Sequence, residues 1–267
     1  MPGSLTDYLE ARLLNHLFGG SPYDFPTVLY FGYMVGTPGE SGPGAEPNIG
    51  SYARVAIPNT TENFDITNNQ IKTNKTEMVF PEATSNHGLV QALGVWDSPI
   101  AGNLLAYFPF NSPINISASD AMRVPAGAML FQFAPGGLSN YVKNGFLNNL
   151  FGGVPFNLIS ILYVGYSTTA PTDAVPGAEP SDGGYSRVSI ANSPQMFPNS
   201  SVGVKSNALD ITFPEATDTQ GTATNIQFFD SLSGGNYLGR YSLAPVQAIN
   251  QYTIPVLPAN SVNITLD

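Results

Sequence analysis

The sequence predicts a mainly β protein: two tandem copies of one small antiparallel domain, a β-sandwich or barrel, each copy preceded by one N-terminal α-helix. Three observations carry that expectation. The 267 residues include 27 glycines and 23 prolines but only 9 Lys and Arg and 19 Asp and Glu, a profile of turns joining apolar strands rather than of long charged helices. The apolar runs are short, rich in aromatic and branched residues, and bounded by Gly, Pro, Asn or Asp. Finally, the chain repeats itself: Gly44-Ala-Glu-Pro47 returns as Gly177-Ala-Glu-Pro180, and the register holds from end to end.

The repeat opens on Leu5-Thr-Asp-Tyr-Leu-Glu-Ala-Arg-Leu-Leu-Asn-His-Leu-Phe-Gly-Gly20, matched by Leu138-Ser-Asn-Tyr-Val-Lys-Asn-Gly-Phe-Leu-Asn-Asn-Leu-Phe-Gly-Gly153. Arg54-Val55 falls on Arg187-Val188, and Phe80-Pro-Glu-Ala-Thr84 on Phe213-Pro-Glu-Ala-Thr217. Asp97-Ser98 falls on Asp230-Ser231, Gly102-Asn103 on Gly235-Asn236 and Pro125-Ala126 on Pro258-Ala259. Roughly a third of aligned positions are identical, a tandem duplication whose period is too long for a solenoid or propeller blade. The boundaries follow: a first repeat over residues 1–134, a linker over 135–137, and a second repeat over 138–267, ending at Asp267. Each copy is long enough to bury a core of its own, and the short Pro135-Gly136-Gly137 linker leaves the copies either packed side by side or within a domain's width of each other.

In the first copy Leu5, Tyr8, Leu9, Leu13 and Leu17 recur at helical spacing, Ser4-x-x-Asp7 resembles a capping box, and Gly19-Gly20 supplies the stop. This reads as a surface helix. Residues 27–35 then form a strand suited to burial on both faces, with residues 161–166 as its counterpart. Pro38, Pro43 and Pro47 make residues 36–51 a long loop. Alternation over residues 52–57 gives another strand. A polar Asn/Thr-rich excursion over residues 59–75 differs most between the copies. Strand patterns return at 77–80, 89–96, 104–110 and 128–133, with Gly102-Asn103 turning between the second and third.

A duplicated set of acids can imitate a glycosidase pair, and Glu82, Glu215, Asp97 and Asp230 are the candidates. A turn explains the aspartates better. Asp-Ser before Gly-Asn is ordinary turn chemistry, and a Glu after Pro at a strand end pairs with an arginine such as Arg54 or caps a backbone amide. His16 and His87 are the only histidines, and the second copy has Asn149 and Gln220 in their places, so they make no metal centre. No Asp-x-Asp-x-Asp-Gly calcium loop, Gly-x-Ser-x-Gly elbow, phosphate loop or dinucleotide fingerprint occurs. No catalytic, cofactor-binding or metal residue is therefore assigned, and no cofactor is expected. The repeated glycines read as hinges and helix stops. The 16 Phe and 13 Tyr leave room for a sugar-stacking platform, though strand positions favour the core.

A net charge of −10 repels polyphosphate, so no nucleic-acid partner is expected. Absence of cysteine removes disulfides, thiolate nucleophiles and sulfur-ligated metals. Asp7, Glu10 and Arg12 in the first helical turns argue against a signal peptide or a membrane span, and no later apolar run reaches spanning length. Triplets such as Asn115-Ile-Ser117 then read as unglycosylated.

The order of motifs resembles a family of tailed-bacteriophage virion structural proteins, small modules often labelled tail fibre or putative virion protein. The matching residues are Leu5-x-x-Tyr8-Leu9 with Leu13-Leu14, Leu17-Phe18-Gly19-Gly20, Tyr30-x-Gly32, Gly50-x-Tyr52-x-Arg54-Val55, Phe80-Pro-x-Ala-Thr84, and Asp97 followed by Gly102-Asn103-Leu104-Leu105. The second copy repeats them through Gly183-x-Tyr185-x-Arg187-Val188 to Ile264-Thr-Leu-Asp267. Trp96 and Pro99 depart from Phe229 and Leu232, as expected if the two copies meet different neighbours.

The resemblance implies a non-enzymatic component of a virion assembled in the host cytoplasm. Its expected partners are major capsid or tail proteins and further copies of itself. Two related surfaces at fixed separation suit a symmetric lattice, where weak contacts gain avidity. A capsid decoration or cement protein is the first expectation. A tail, baseplate or fibre-attachment protein, or a glycan- or receptor-binding module on the particle surface, is the alternative, and a glycan-cleaving enzyme comes third. The bland reading is a β-rich protein with no ligand.

Overall fold

A computed structural model describes residues 3–200 and 203–266. Asp267, at which the second repeat is expected to end, lies outside the described residues. The first copy contains β1 (Ser4–Leu5), α1 (Asp7–Leu17), β2 (Val28–Met34), β3 (Val55–Pro58), β4 (Ile71–Thr73), β5 (Met78–Val79), β6 (Gly88–Trp96), β7 (Leu104–Ile116), β8 (Arg123–Val124) and β9 (Leu130–Gln132). The second repeats this order with α2 (Asn140–Leu150), β10 (Ile161–Ser167), β11 (Val188–Ala191), β12 (Val204–Ser206), β13 (Ile211–Thr212), β14 (Gly221–Phe229), β15 (Tyr237–Ile249), β16 (Val256–Leu257) and β17 (Asn263–Thr265). The protein is mainly β and antiparallel, as its sequence predicts.

Each copy is built on one main sheet, ordered β1-β7-β6-β2-β3 in the first and β11-β10-β14-β15 in the second. The pairs β4–β9 and β5–β8, with their counterparts β12–β17 and β13–β16, are separate two-stranded ladders. Alternation sets the faces of β2: Leu29, Phe31 and Tyr33 enter the main core, while Met34 is buried on the other face with Ala92, Trp96 and Leu104, against which Tyr30 packs, so the strand is covered on both faces as its sequence predicts. The strand beginning at Leu104 runs to Ile116, past the Phe110 at which periodicity ends it. It survives Pro109 and Pro113 because the register jumps: Val90 faces Ile114 and Ala92 faces Pro109, so residues 110–113 loop out opposite Gln91.

The helix starts differ from the sequence reading. Thr6, not Ser4, caps α1, accepting from the Leu9 amide and donating to the Leu104 carbonyl at 2.6 Å; Ser4 is taken by β1. Nor is either helix a surface helix. In α1 Leu9, Leu13, Leu14, Asn15, His16 and Leu17 are all buried, because the helix packs on β7 of its own copy and on β12 of the other. The second helix packs on β15 and reaches across to β4. The two copies consequently share one continuous hydrophobic core instead of holding one each.

The end of each helix is locked into the opposite copy by the same residues used twice. Asn59 accepts the Gly152 amide at 2.6 Å and donates to the Asn149 carbonyl at 3.0 Å. Asn192 accepts the Gly19 amide at 2.5 Å and donates to the Leu17 carbonyl at 2.9 Å. Asn148 is held by the Thr67 amide at 2.8 Å and by Lys72 Nζ at 3.1 Å; Asn15 is held by the Ser200 amide at 2.9 Å and by Lys205 Nζ at 2.5 Å. Phe18 meets Phe197 with ring centroids 5.6 Å apart, and Phe151 meets Phe64 at the same distance. This is the reciprocity of a two-fold interface, made within one chain. The polar and divergent stretch over residues 59–75 is thus anchored by repeated residues, since Asn59, Phe64 and Lys72 lie buried there.

Each lysine ammonium sits where a helix leaves its last carbonyls unpaired and its dipole negative, which favours a cation. Both side chains are 1% exposed, and burial lowers both pKa values to about 8. Gly20 and Gly153 complete the corner. Their φ values are +61° and +62°, and a Cβ there would strike the Asn192 and Asn59 carbonyl oxygens of the other copy.

Candidate functional site

The residues weighed for chemistry are dispersed and used structurally. Asp97 accepts the Asn103 amide and its side-chain amide, both at 2.7 Å, and Asp230 holds Asn236 in the same way at 2.6 Å. Both carboxylates close turns. Glu82 and Glu215 are exposed, and Glu82 does not meet Arg54: a nearer carboxylate, Glu46, takes that arginine. His16 is fully engaged, receiving the Tyr23 amide at Nδ1 (3.2 Å) and lying 3.0 Å through Nε2 from the Phe156 carbonyl. Burial lowers its pKa, against the raising effect of that carbonyl. His87 spans Tyr33 Oη at 2.7 Å and the Gly50 carbonyl at 2.9 Å. Among the described residues no group of His, Asp and Glu is arranged to hold a metal.

What recurs in both copies is a clamp on the turn between the two longest strands. Arg54, from the residue before β3, lies over the Trp96 ring at 4.0 Å and pairs with Glu46 through Nη2 at 2.6 Å and Nε at 3.0 Å. Its Nη1 donates to the Ser98 and Ala101 carbonyls, each at 2.7 Å. Tyr52 donates to the same glutamate and accepts the Tyr33 amide at 3.1 Å, tying the long loop to β2. In the second copy Arg187 lies over Phe229 at 3.3 Å, pairs with Glu179 at 2.7 Å, and donates to the Ser231 and Gly234 carbonyls at 2.8 Å.

A guanidinium is suited to this because its planar face stacks while its fork donates on several sides at once. Burial and the neighbouring glutamates push the Tyr52 and Tyr185 hydroxyls well above the ordinary tyrosine pKa, so they remain donors. The clamped turn then presents an apolar side chain to solvent. Ile100 is 82% exposed in the first copy and Leu232 is 55% exposed in the second. Beside Ile100 a cleft of about 460 Å³ is lined by Glu46, Pro47, Tyr52, Arg54 and Pro99.

The same turns line a further, repeated cleft. In the first copy it is bounded by Tyr8, Glu40, Gly102 and Asn103 and holds about 410 Å³; in the second by Tyr141, Asp173, Gly235 and Asn236, with about 340 Å³. The second carries an ion network the first does not repeat: Asp173 takes Lys143 Nζ at 2.6 Å, Arg240 Nη1 at 2.7 Å and the Gly136 amide at 3.2 Å. Burial alone would raise the Asp173 carboxyl, but these bonds hold it below its ordinary value. Lys143 also donates to the Ala134 carbonyl at 2.7 Å, so the network pins the linker.

The clamp was within reach of the sequence, because Glu46, Tyr52 and Arg54 all recur as Glu179, Tyr185 and Arg187. Reading Gly-Ala-Glu-Pro only as a hinge hid the glutamate's partner. Ile100 has no counterpart in the repeat pattern, and nothing in the sequence marks it.

Fold and site together define a tandemly duplicated, mainly β structural module whose buried polar groups hold loops, turns and helix ends in place. A family model described as "Podophage GP4 fiber I protein gp80" matches it twice, over residues 4–132 and 137–265. The chain belongs to this family of phage fibre proteins and is a structural component of the virion. No curated protein matches the chain.

Proposed function

We propose that this protein is a non-enzymatic connector in the fibre apparatus of a tailed phage, docking to tail or fibre proteins through its two clamped turns. One observation carries the reading: Ile100 and Leu232 stand exposed on turns whose backbone is fixed by a buried arginine in each copy. An exposed apolar side chain on a rigid support loses little conformational freedom when covered, which favours docking. The fibre description of the family supports this place over decoration of the capsid shell. Assembly in the host cytoplasm goes with it. A glycan-binding role has thinner support, since Tyr141 and Tyr252, the exposed aromatic side chains among the described residues, lie on separate elements.

Quantitative mass spectrometry of purified particles against the major shell protein tests the location. A few copies per particle are expected; a large lattice fraction would replace the fibre reading with cement. Ile100→Asp combined with Leu232→Asp tests the surface. The variant should fold with unchanged circular dichroism yet be lost from particles, and normal incorporation would count against docking through these turns.

A further inference from the structure

We infer that the corner formed by each helix end is a self-complementary pairing surface whose partner is a second copy of the same module, and that it holds the halves together without the Pro135-Gly136-Gly137 link. This goes beyond the fibre reading and does not depend on where in the particle the protein sits.

The first support is reciprocity. Four side-chain contacts of the corner occur in both directions: Asn59 with the Gly152 amide and Asn192 with that of Gly19, Lys72 with Asn148 and Lys205 with Asn15. The residues making them are identical in the two copies, as are Phe18 and Phe151, Phe64 and Phe197, Gly20 and Gly153. An isologous interface has this form, the same patch on both partners, each supplying what the other lacks.

The second support is what a lone module would leave exposed. The Gly19 and Gly152 amides and the last carbonyls of each helix find their partners in the other copy. Lys72 and Lys205, each 1% exposed, donate to Asn148 and Asn15 on the opposite helix. Around these groups Phe18 packs on Phe197, and equivalently Phe151 on Phe64; Phe228 joins the first pair and Phe131 the second, all buried. An apolar, closely packed contact continuous with both cores resembles a domain core cut in half, the character of permanent interfaces. The family unit is itself a single copy, matched here twice.

The test uses the full chain with a specific protease site placed in the linker and cut after folding. Size exclusion and native mass spectrometry should find both fragments together at the mass of the uncut chain, from micromolar down to nanomolar concentration. Fragments that separate at micromolar concentration would overturn the inference. For the two-fold relation, Asn59→Ala and Asn192→Ala are measured singly in the cut protein, with circular dichroism of the uncut variant as the control for folding. Each should weaken the pair by roughly tenfold or more, since each strands a buried helix-end amide, and the two effects should agree within about threefold. An effect from only one of them would refute equivalence. Should either variant fail to fold uncut, hydrogen exchange at the Gly19 and Gly152 amides decides: equal protection in cut and uncut wild-type protein supports the pairing, and loss of protection on cutting refutes it.

Discussion

The hydroxyl of Tyr33 lies 2.7 Å from Nδ1 of His87, and in the second copy Tyr166 meets Gln220 at the equivalent place. His87 reaches on to the Gly50 carbonyl and Gln220 to that of Gly183. Two different side chains therefore do one task, bridging a core tyrosine to the strained loop over the sheet. His87→Gln should leave stability within about 1 kcal/mol of wild type, whereas His87→Ala, which strands a buried hydroxyl and a carbonyl, should cost about 2 kcal/mol. Urea unfolding of both variants checks this; equal costs would show that size rather than hydrogen bonding matters.

The buried lysines give stability a dependence on alkaline pH. Folded Lys72 and Lys205 titrate near 8, against 10.5 for an ordinary lysine. Between those values the unfolded chain binds more protons than the folded one, so stability rises with pH across that window. Above about pH 10 the trend reverses, because Tyr52 and Tyr185 stay protonated when folded and ionise when unfolded. The Tm should climb from pH 8 to about pH 9.5 and fall beyond pH 10. In Lys72→Met with Lys205→Met the climb should flatten. A climb of the same size without the lysines would assign it to other groups.

Asp173 gives the opposite limb. Its carboxylate is held below the ordinary value of 3.8 by Lys143 and Arg240, so its contribution is present above that pH and is lost as pH falls through the lowered folded value. Asp173→Asn leaves the buried Lys143 without its counter-ion and should cost about 2–4 kcal/mol at pH 7. At pH 3 the difference between variant and wild type should be smaller than at pH 7, because the contribution of the carboxylate fades as pH falls below 3.8. Denaturant titrations at the two pH values measure the difference, and a cost that persists in acid would mean lost packing instead.

Backbone conformation is repeated more strictly than side chains. Ala101 holds φ +53° where the second copy has Gly234 at +60°, and a Cβ at Gly234 would touch nothing within 4 Å. The difference between the two residues there is therefore one of backbone preference alone. Ala101→Gly should stabilise the protein by about 0.5–1 kcal/mol and Gly234→Ala should destabilise it by about 1 kcal/mol. Thermal unfolding of the pair checks both signs.

Local pattern made the secondary structure legible. Leu9, Leu13 and Leu17 mark α1 by spacing, and the unbroken run of branched and aromatic residues through Leu29, Phe31 and Tyr33 marks a strand covered on both faces. The clamp was half visible: Arg54 and Glu46 recur together, but their pairing depends on a path through a Pro/Gly-rich loop that periodicity does not describe. The corner between the copies stayed hidden for another reason. Asn59, Phe64, Lys72 and Asn74 are each repeated once, inside a stretch whose remaining residues differ, so the average divergence masked four fixed points. A lysine in an Asn/Thr-rich run looks solvated. Its partner Asn148 lies on the opposite helix, far away in sequence.

The shared corner also changes what the duplication permits. A pair assembled from two separate identical chains carries every surface feature twice, and a change that suits one neighbour is imposed on both halves. Joining the halves removes that constraint. The pairing residues stay alike while the exposed turns differ, Pro99 and Ile100 in one copy, Leu232 and Ser233 in the other. One polypeptide thereby keeps the paired contacts of a symmetric dimer and gives each half a different exposed turn, at a fixed ratio of one to one and at any dilution.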